Sequence, residues 1–325
     1  MDPDGSIAKI AELLRQYNPI LDDIPMVEGN LPTGHRTTVR ADLPTPTWRM
    51  LNYGVKPTKS STAQVDDTIG MLEDYGEVDK DLAMLNGNTA EFRLSEDTPH
   101  IEAMSNTMAS TIFYGDTGSY PERFLGLTPR YDALTLTGKP TAESNSAYLK
   151  NIISCSDGSP TADVQTSVWY IVWGTDKVHG IYPKGSQVGL KAEDLGENTL
   201  FDDDGGRFQG YRTHYQWKMG LVVRDWRYIV RICNIELTNM EVAADQALLY
   251  KAMIKARYAV PNPGSYARGV YYASPAVHAM LDIAALEKSN AALGYQEVFG
   301  EDVLSFRGTP IRPCSAILET EAVVS

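Results

Sequence analysis

Apolar and polar positions alternate most clearly over residues 219–236, M-G-L-V-V-R-D-W-R-Y-I-V-R-I-C-N-I-E. From Trp226 onward, Trp226, Tyr228, Val230 and Ile232 fall on one face of an extended chain, while Asp225, Arg227 and Arg231 fall on the other. The pattern predicts a half-buried strand, apolar on one face and polar on the other. Strands beyond about ten residues are uncommon, so Arg224-Asp225 is the place for a bend between two shorter ones. Thr238-Asn239-Met240-Glu241 has the form of a capping box, which predicts a helix directly after the strand. Met240, Ala243, Ala244, Ala247, Leu248 and Ile254 supply its apolar stripe. Glu241 and Asp245 come early and Lys251, Lys255 and Arg257 late, in keeping with the helix dipole, and Pro261 and Pro263 end it.

The same reading applies along the chain. Ile7, Ile10, Leu14 and Tyr17 are spaced for a short helix capped by Asp4 or Ser6 and stopped at Asn18-Pro19. Residues 25–61 are rich in Pro, Thr, Gly and Arg. Thr37, Val39 and Ala41, a Pro44-Thr45-Pro46 turn and then residues 48–55 predict a long hairpin without an apolar face of its own, so it must pack on something outside itself. Ile69, Leu72, Val78, Leu82 and Leu85 predict one or two helices over 65–85, interrupted at Gly76 and stopped by Gly87. Thr98 as cap, Pro99 at the first helical position, and Ile101, Met104, Met108 and Ile112 predict a helix of about four turns ending at Gly115. A helix-like piece around 144–153 lies between loops at 116–140 and 154–166. The run V-W-Y-I-V-W at 168–173 predicts a strand buried on both faces, turned back by residues 174–177 toward a second strand at 178–182. Residues 195–210 read as a surface loop. Tyr271-Tyr272-Ala273 reads as a short strand, Ser274-Pro275 opens a helix through Val277, Leu281 and Ala284 that Gly294 closes, and 306–312 is extended.

Composition narrows the function. A chain of 325 residues with 43% hydrophobic residues can bury one large core or two ordinary ones. Its 29 basic and 42 acidic residues give a net charge of −13, which argues against a general phosphate-binding surface and suits a container for nucleic acid better than a binder. Cys155, Cys233 and Cys314 are sparse, odd in number and far apart, as expected for buried, reduced thiols in cytoplasm. The acidic start Met1-Asp2-Pro3-Asp4 and the lack of an apolar run near 20 residues predict neither a secretory signal nor a membrane span.

Candidate chemistry is thin. Asp116-Thr117-Gly118 matches the aspartic-protease triplet, but that chemistry needs two copies and the chain has one, so a turn is the better reading. Asp202-Asp203-Asp204 lacks the alternating spacing of a calcium loop and reads as solvated. His35, His100, His179, His214 and His278 are too far apart in sequence for a ligand motif. The hydrolase elbow, phosphate loop and dinucleotide fingerprint are all absent. An assembly role without cofactor or metal is the economical expectation, with a hydrolase using Asp116 or Asp202–Asp204 as the alternative. The hairpin arginines, Arg36, Arg40 and Arg49, fit contacts with acidic neighbours and a solubilising pattern equally well.

Three phrases in order, G-L-V-V-R-D-W-R-Y-I-V-R-I-C-N-I (220–235), V-Y-Y-A-S-P-A-V-H-A-M-L-D-I (270–283) and F-R-G-T-P-I-R-P-C-S-A-I-L-E-T-E-A (306–322), follow an Arg-containing hairpin and the helix at Thr98. In this the chain resembles major capsid proteins of tailed bacteriophages, of the podophage type with the Hong Kong 97 capsid fold. The resemblance implies an α+β fold with an N-terminal arm (1–30), an extended loop (31–65), a peripheral domain (66–135 and 300–325) with a spine helix at 98–115, and an axial domain (136–299). The strand at 219–236 falls in this mainly axial range and is shared with the peripheral domain. It further implies a non-enzymatic shell subunit that forms hexamers and pentamers around double-stranded DNA in a virion assembled in the host cytoplasm. Implied partners are a separate scaffolding protein, a portal and a decoration protein. The subunit-contact candidates are Arg36, Arg40, Trp48, Arg49, Arg227 and Arg231. A non-viral encapsulating shell shares the fold and differs in cargo.

Overall fold

The V-W-Y-I-V-W run is the centre of the molecule, and it is buried on both faces because helices cover its sheet from both sides. The computed structural model describes residues 18–84, 89–134, 148–156, 164–202, 204–239, 243–261, 269–286, 293–298 and 301–325. In chain order the elements are α1 (Pro19–Asp23), β1 (Met26–Glu28), β2 (Gly34–Asp42), β3 (Ser61–Thr68), β4 (Gly70–Asp79), α2 (Lys80–Met84) and α3 (Thr89–Tyr114). Then come β5 (Ile152–Ser154), β6 (Gln165–Val172), β7 (Val178–Tyr182), β8 (Leu190–Phe201), β9 (Arg207–Val223), β10 (Ile229–Glu236) and α4 (Ala243–Ala259). The chain ends with β11 (Gly269–Ala273), α5 (Pro275–Leu286), β12 (Leu293–Val298), β13 (Glu301–Phe306) and β14 (Thr309–Pro313).

One sheet has the order β12-β13-β14-β11-β6-β10-β5. Period-two alternation sends Trp169, Ile171 and Trp173 to one side, against Met108, Ile112 and Phe113 of α3. Val168, Tyr170 and Val172 go to the other, against Leu249 and Met253 of α4 and Val277 and Leu281 of α5. Each such large side chain removed from water contributes about 1.5–3 kcal/mol. The second sheet has the order β1-β7-β9-β4, with β8 also paired to β9. Tyr215, Trp217, Met219 and Leu221 of β9 join the same core as α3. The long helix α3, about 39 Å at 1.5 Å per residue, therefore ties both sheets together. β2 and β3 form a separate hairpin.

Several expectations change. The segment 219–236 is not one strand. It crosses from β9 in one sheet to β10 in the other through a 3-10 turn at Trp226–Tyr228, and the bend falls at Arg224-Asp225. The turn at 174–177 also leads out of one sheet, because β7 pairs with β1 and β9 rather than with β6. Residues 65–85 are not chiefly helix: β4 pairs with β9 along its whole length, and ladder pairing outweighs an apolar spacing that fits both periods. Helix α3 starts at Thr89, so Thr98 is no cap. Its hydroxyl donates to the Leu94 carbonyl (2.8 Å), and Pro99 lies inside the helix. The extended hairpin closes on β3, not on residues 48–55. The acidic segment 195–210 is a β8–β9 hairpin whose Leu200 is buried, and Gly210 leaves room for it, since a Cβ there would meet Leu200 Cδ1 at 2.3 Å. Gly294 belongs to β12 rather than to a helix end. Thr238 lies in a 3-10 turn and donates to Glu236 (3.3 Å), while Met240 and Glu241 lie outside the described residues, as does the helix expected over 7–17. Only a 3-10 turn at Tyr148–Asn151 and β5 are described from the expected helix around 144–153.

Candidate assembly surfaces

The β2–β3 hairpin is anchored at its base and open at its tip. At the base, Arg36 stands opposite Asp66 in the ladder and grips it with both Nε (2.6 Å) and Nη2 (2.7 Å). Asn30 exchanges two hydrogen bonds with the Arg36 backbone, both 2.8 Å. Buried Asp67 accepts from Arg130 (2.8 Å), which holds the hairpin to the segment after α3. His35 meets buried His179 edge to face at 6.0 Å. Burial, then His35 and Arg224, depress His179 to a pKa of about 4.

Beyond Asp42 the chain leaves regular structure and exposes its apolar residues. Trp48 is 100% exposed, and Leu43, Met50, Leu51 and Tyr53 are also exposed. Arg49 has no ion pair among the described residues. Arg40 stands opposite Thr62, and its side chain lies outside the described residues. A lone subunit gains nothing from holding Trp48 in water. Sequence reasoning singled out Trp48 but not Met50, Leu51 and Tyr53, although their density in a segment without core periodicity was visible.

The two arginines placed together on the polar face of 219–236 part company. Arg227 is exposed in the 3-10 turn and forks onto Asp225 (2.8 and 2.7 Å), whose carboxylate also accepts from the Arg227 N–H (3.1 Å). Arg231 is buried, contrary to the expectation of an open face. Its Nη2 donates to Glu321 (2.9 Å), its Nε to Ser167 (3.0 Å) and its Nη1 to the Tyr131 carbonyl (2.7 Å), while its guanidinium lies 5.2 Å from the Trp169 ring centre. Glu321 also accepts from Ser167 and from Tyr114 of α3 (2.5 Å). Burial, with the Glu321 charge beside it, raises the Tyr114 phenol. Nearby, Asn234, with positive φ, exchanges two 2.9 Å bonds with the Val324 backbone. These contacts clamp the C-terminal segment over the sheet and α3.

The motifs set aside as chemistry are turns. Asp116 accepts from the Ser119 hydroxyl (2.7 Å) and the Gly118 N–H (2.9 Å), which lowers its carboxyl below the usual range. Asp202 accepts from the N–H groups of Asp204 (3.1 Å) and Gly206 (2.6 Å) at the β8–β9 turn; Asp203 lies outside the described residues. No group of three or more His, Cys, Asp or Glu is placed to hold a metal among the described residues. Cys155, Cys233 and Cys314 are buried thiols, and burial pushes Cys233 and Cys314 up to about 11. No helix among the described residues is long and apolar enough to cross a membrane.

The profile of the family described as major capsid protein GP7 matches residues 2–325. A chain in the cryo-EM structure of bacteriophage Epsilon15 is 33% identical, with a TM-score of 0.67 over 93% of this chain and 88% of that one. A chain from Mycobacterium phage Bobi is 10% identical (TM-score 0.43, 66% of this chain and 90% of that one). One from the SrpI encapsulin complex of Synechococcus elongatus is 13% identical (TM-score 0.40, 67% and 87%). None of the curated proteins compared matches the chain.

Proposed function

The chain belongs to the major capsid protein GP7 family, and from that premise we propose that copies of it close into an icosahedral head of hexamers and pentamers held together through the tip of the β2–β3 hairpin. The observation that carries this is the fully exposed Trp48 among other unpartnered apolar side chains on an arm anchored only at its base. The hairpin (31–65) is the extended loop, with Arg36 at its base and Arg40 and Arg49 farther out; 1–30 is the arm, 66–135 and 300–325 the peripheral part, and 136–299 the axial part. Arg227 contributes at the surface and Arg231 acts inside the subunit. The shell holds double-stranded DNA against an acidic inner surface without sequence-specific contacts. It grows in the host cytoplasm on a separate scaffolding protein, with a portal at one vertex and a decoration protein outside, and it performs no catalysis.

The test is assembly. The chain expressed with its scaffold gives closed particles by sedimentation and negative-stain microscopy, whereas Trp48→Glu gives soluble subunits with unchanged urea stability, within about 0.5 kcal/mol, because an exposed residue contributes little to the fold. Normal particles from Trp48→Glu would remove the tip from the contact, and a persistent monomer of the unmodified chain would refute the shell reading.

A further inference from the structure

The outer surfaces of α4 and α5 are opposite in character. On α5, Pro275, Ala279, Ile283 and Leu286 recur at helical spacing on the exposed side, with Ile283 65% and Leu286 74% exposed. A surface helix ordinarily turns polar residues outward, so this apolar stripe stands exposed without a partner among the described residues. α5 packs by β12 and β14, at one end of the seven-stranded sheet, where Tyr295 of edge strand β12 donates to Asp282 (2.7 Å). α4 packs by β10 and β5, at the other end, and exposes Lys251 and Lys255 one turn apart with Tyr258 on the same side.

One end is thus apolar with a carboxylate, and the other is basic with an exposed aromatic ring. Ends that differ and complement each other suit a head-to-tail contact, which closes into a ring when the rotation repeats. We propose that the α5 stripe of one copy packs against the outer face of α4 of the next, with Asp282 facing Lys251 and Lys255 and Tyr258 covering Ile283. The proposal rests on the shell reading and assigns which faces of this half meet within a ring.

Because the native cysteines are buried, an introduced thiol reports alone. Ile283→Cys labels with maleimide at least tenfold more slowly in assembled particles than in free subunits; Ala279→Cys, a smaller change on the same stripe, repeats the measurement should the first variant not fold. Lys255→Glu and Asp282→Lys each slow assembly tenfold or more, and the double reversal restores it. Equal labelling in particles and free subunits, native assembly by the single reversals, or no rescue by the double one would each overturn the contact. Particle formation by the unmodified chain is scored separately by microscopy, so failure of the shell reading is distinguishable from failure of this interface.

Discussion

Arg231 and Glu321 form an ion pair with side chains 3% and 5% exposed, so removing one partner leaves the other charged in a site from which water is excluded. Such a loss costs about 3–5 kcal/mol. Against a total stability of about 5–15 kcal/mol, that brings Arg231→Met close to the threshold of folding. Replacing both members of a buried ion pair by apolar residues is often near neutral; Arg231→Met/Glu321→Leu leaves no charge in the site, only the Ser167 and Tyr114 hydroxyls and the Tyr131 carbonyl, at about 1–3 kcal/mol for each that stays unpaired. The double variant is therefore more stable than Arg231→Met alone, which a sum of independent losses forbids. Urea titration of unassembled subunits reads this by tryptophan fluorescence, with Trp169 beneath the guanidinium as a local probe. A single-variant loss below about 1 kcal/mol, or additive losses, would show the pair to be hydrated and the burial argument wrong.

His179 gives a pH dependence. Its folded pKa of about 4 lies below the ordinary 6.5, so between those values the unfolded chain binds a proton that the folded one does not, and stability falls as pH drops from about 6.5 to 4. His179→Phe flattens that part of the profile of urea midpoint against pH; an unchanged slope would assign it to other groups. Gly180→Ala places a Cβ 2.4 Å from Met26 Sδ and 2.8 Å from Ile24 Cγ2, so both side chains must give way and loosen the segment between α1 and β1, at about 1–3 kcal/mol. Limited proteolysis cuts residues 18–28 faster in that variant, and equal rates would show that Met26 rearranges without cost.

Local pattern was a sound guide where a segment's surroundings match its own periodicity. The continuous apolar run at 168–173 predicted burial on both faces, and helices on both sides of the sheet supply it. The bend at Arg224-Asp225 was legible because strands beyond about ten residues are uncommon, although β9 itself runs for seventeen, and of the exposed apolar residues beyond Asp42 the sequence reading singled out Trp48 alone. Pattern failed where a distant partner decides. The ten residues of β4 fit helical and extended spacing alike, and only β9, more than 130 positions later, selects the strand.

Arg231 is the sharper case. Alternation placed it opposite Val230 and Ile232, which is correct, but the inference that the polar side faces solvent assumed a sheet covered on one side only. Here the odd-numbered face of β10 also carries Ile229 and Cys233 into the core beneath α3, and the charge is tolerated because Glu321, ninety residues later, closes over it together with Tyr114. A buried charge whose counter-ion arrives with the last residues of the chain makes that clamp depend on the C-terminal segment being in place. The side of the strand that looked available to neighbouring subunits is thereby spent inside one subunit, whereas the apolar side chains at the hairpin tip and on the outer face of α5 are left exposed.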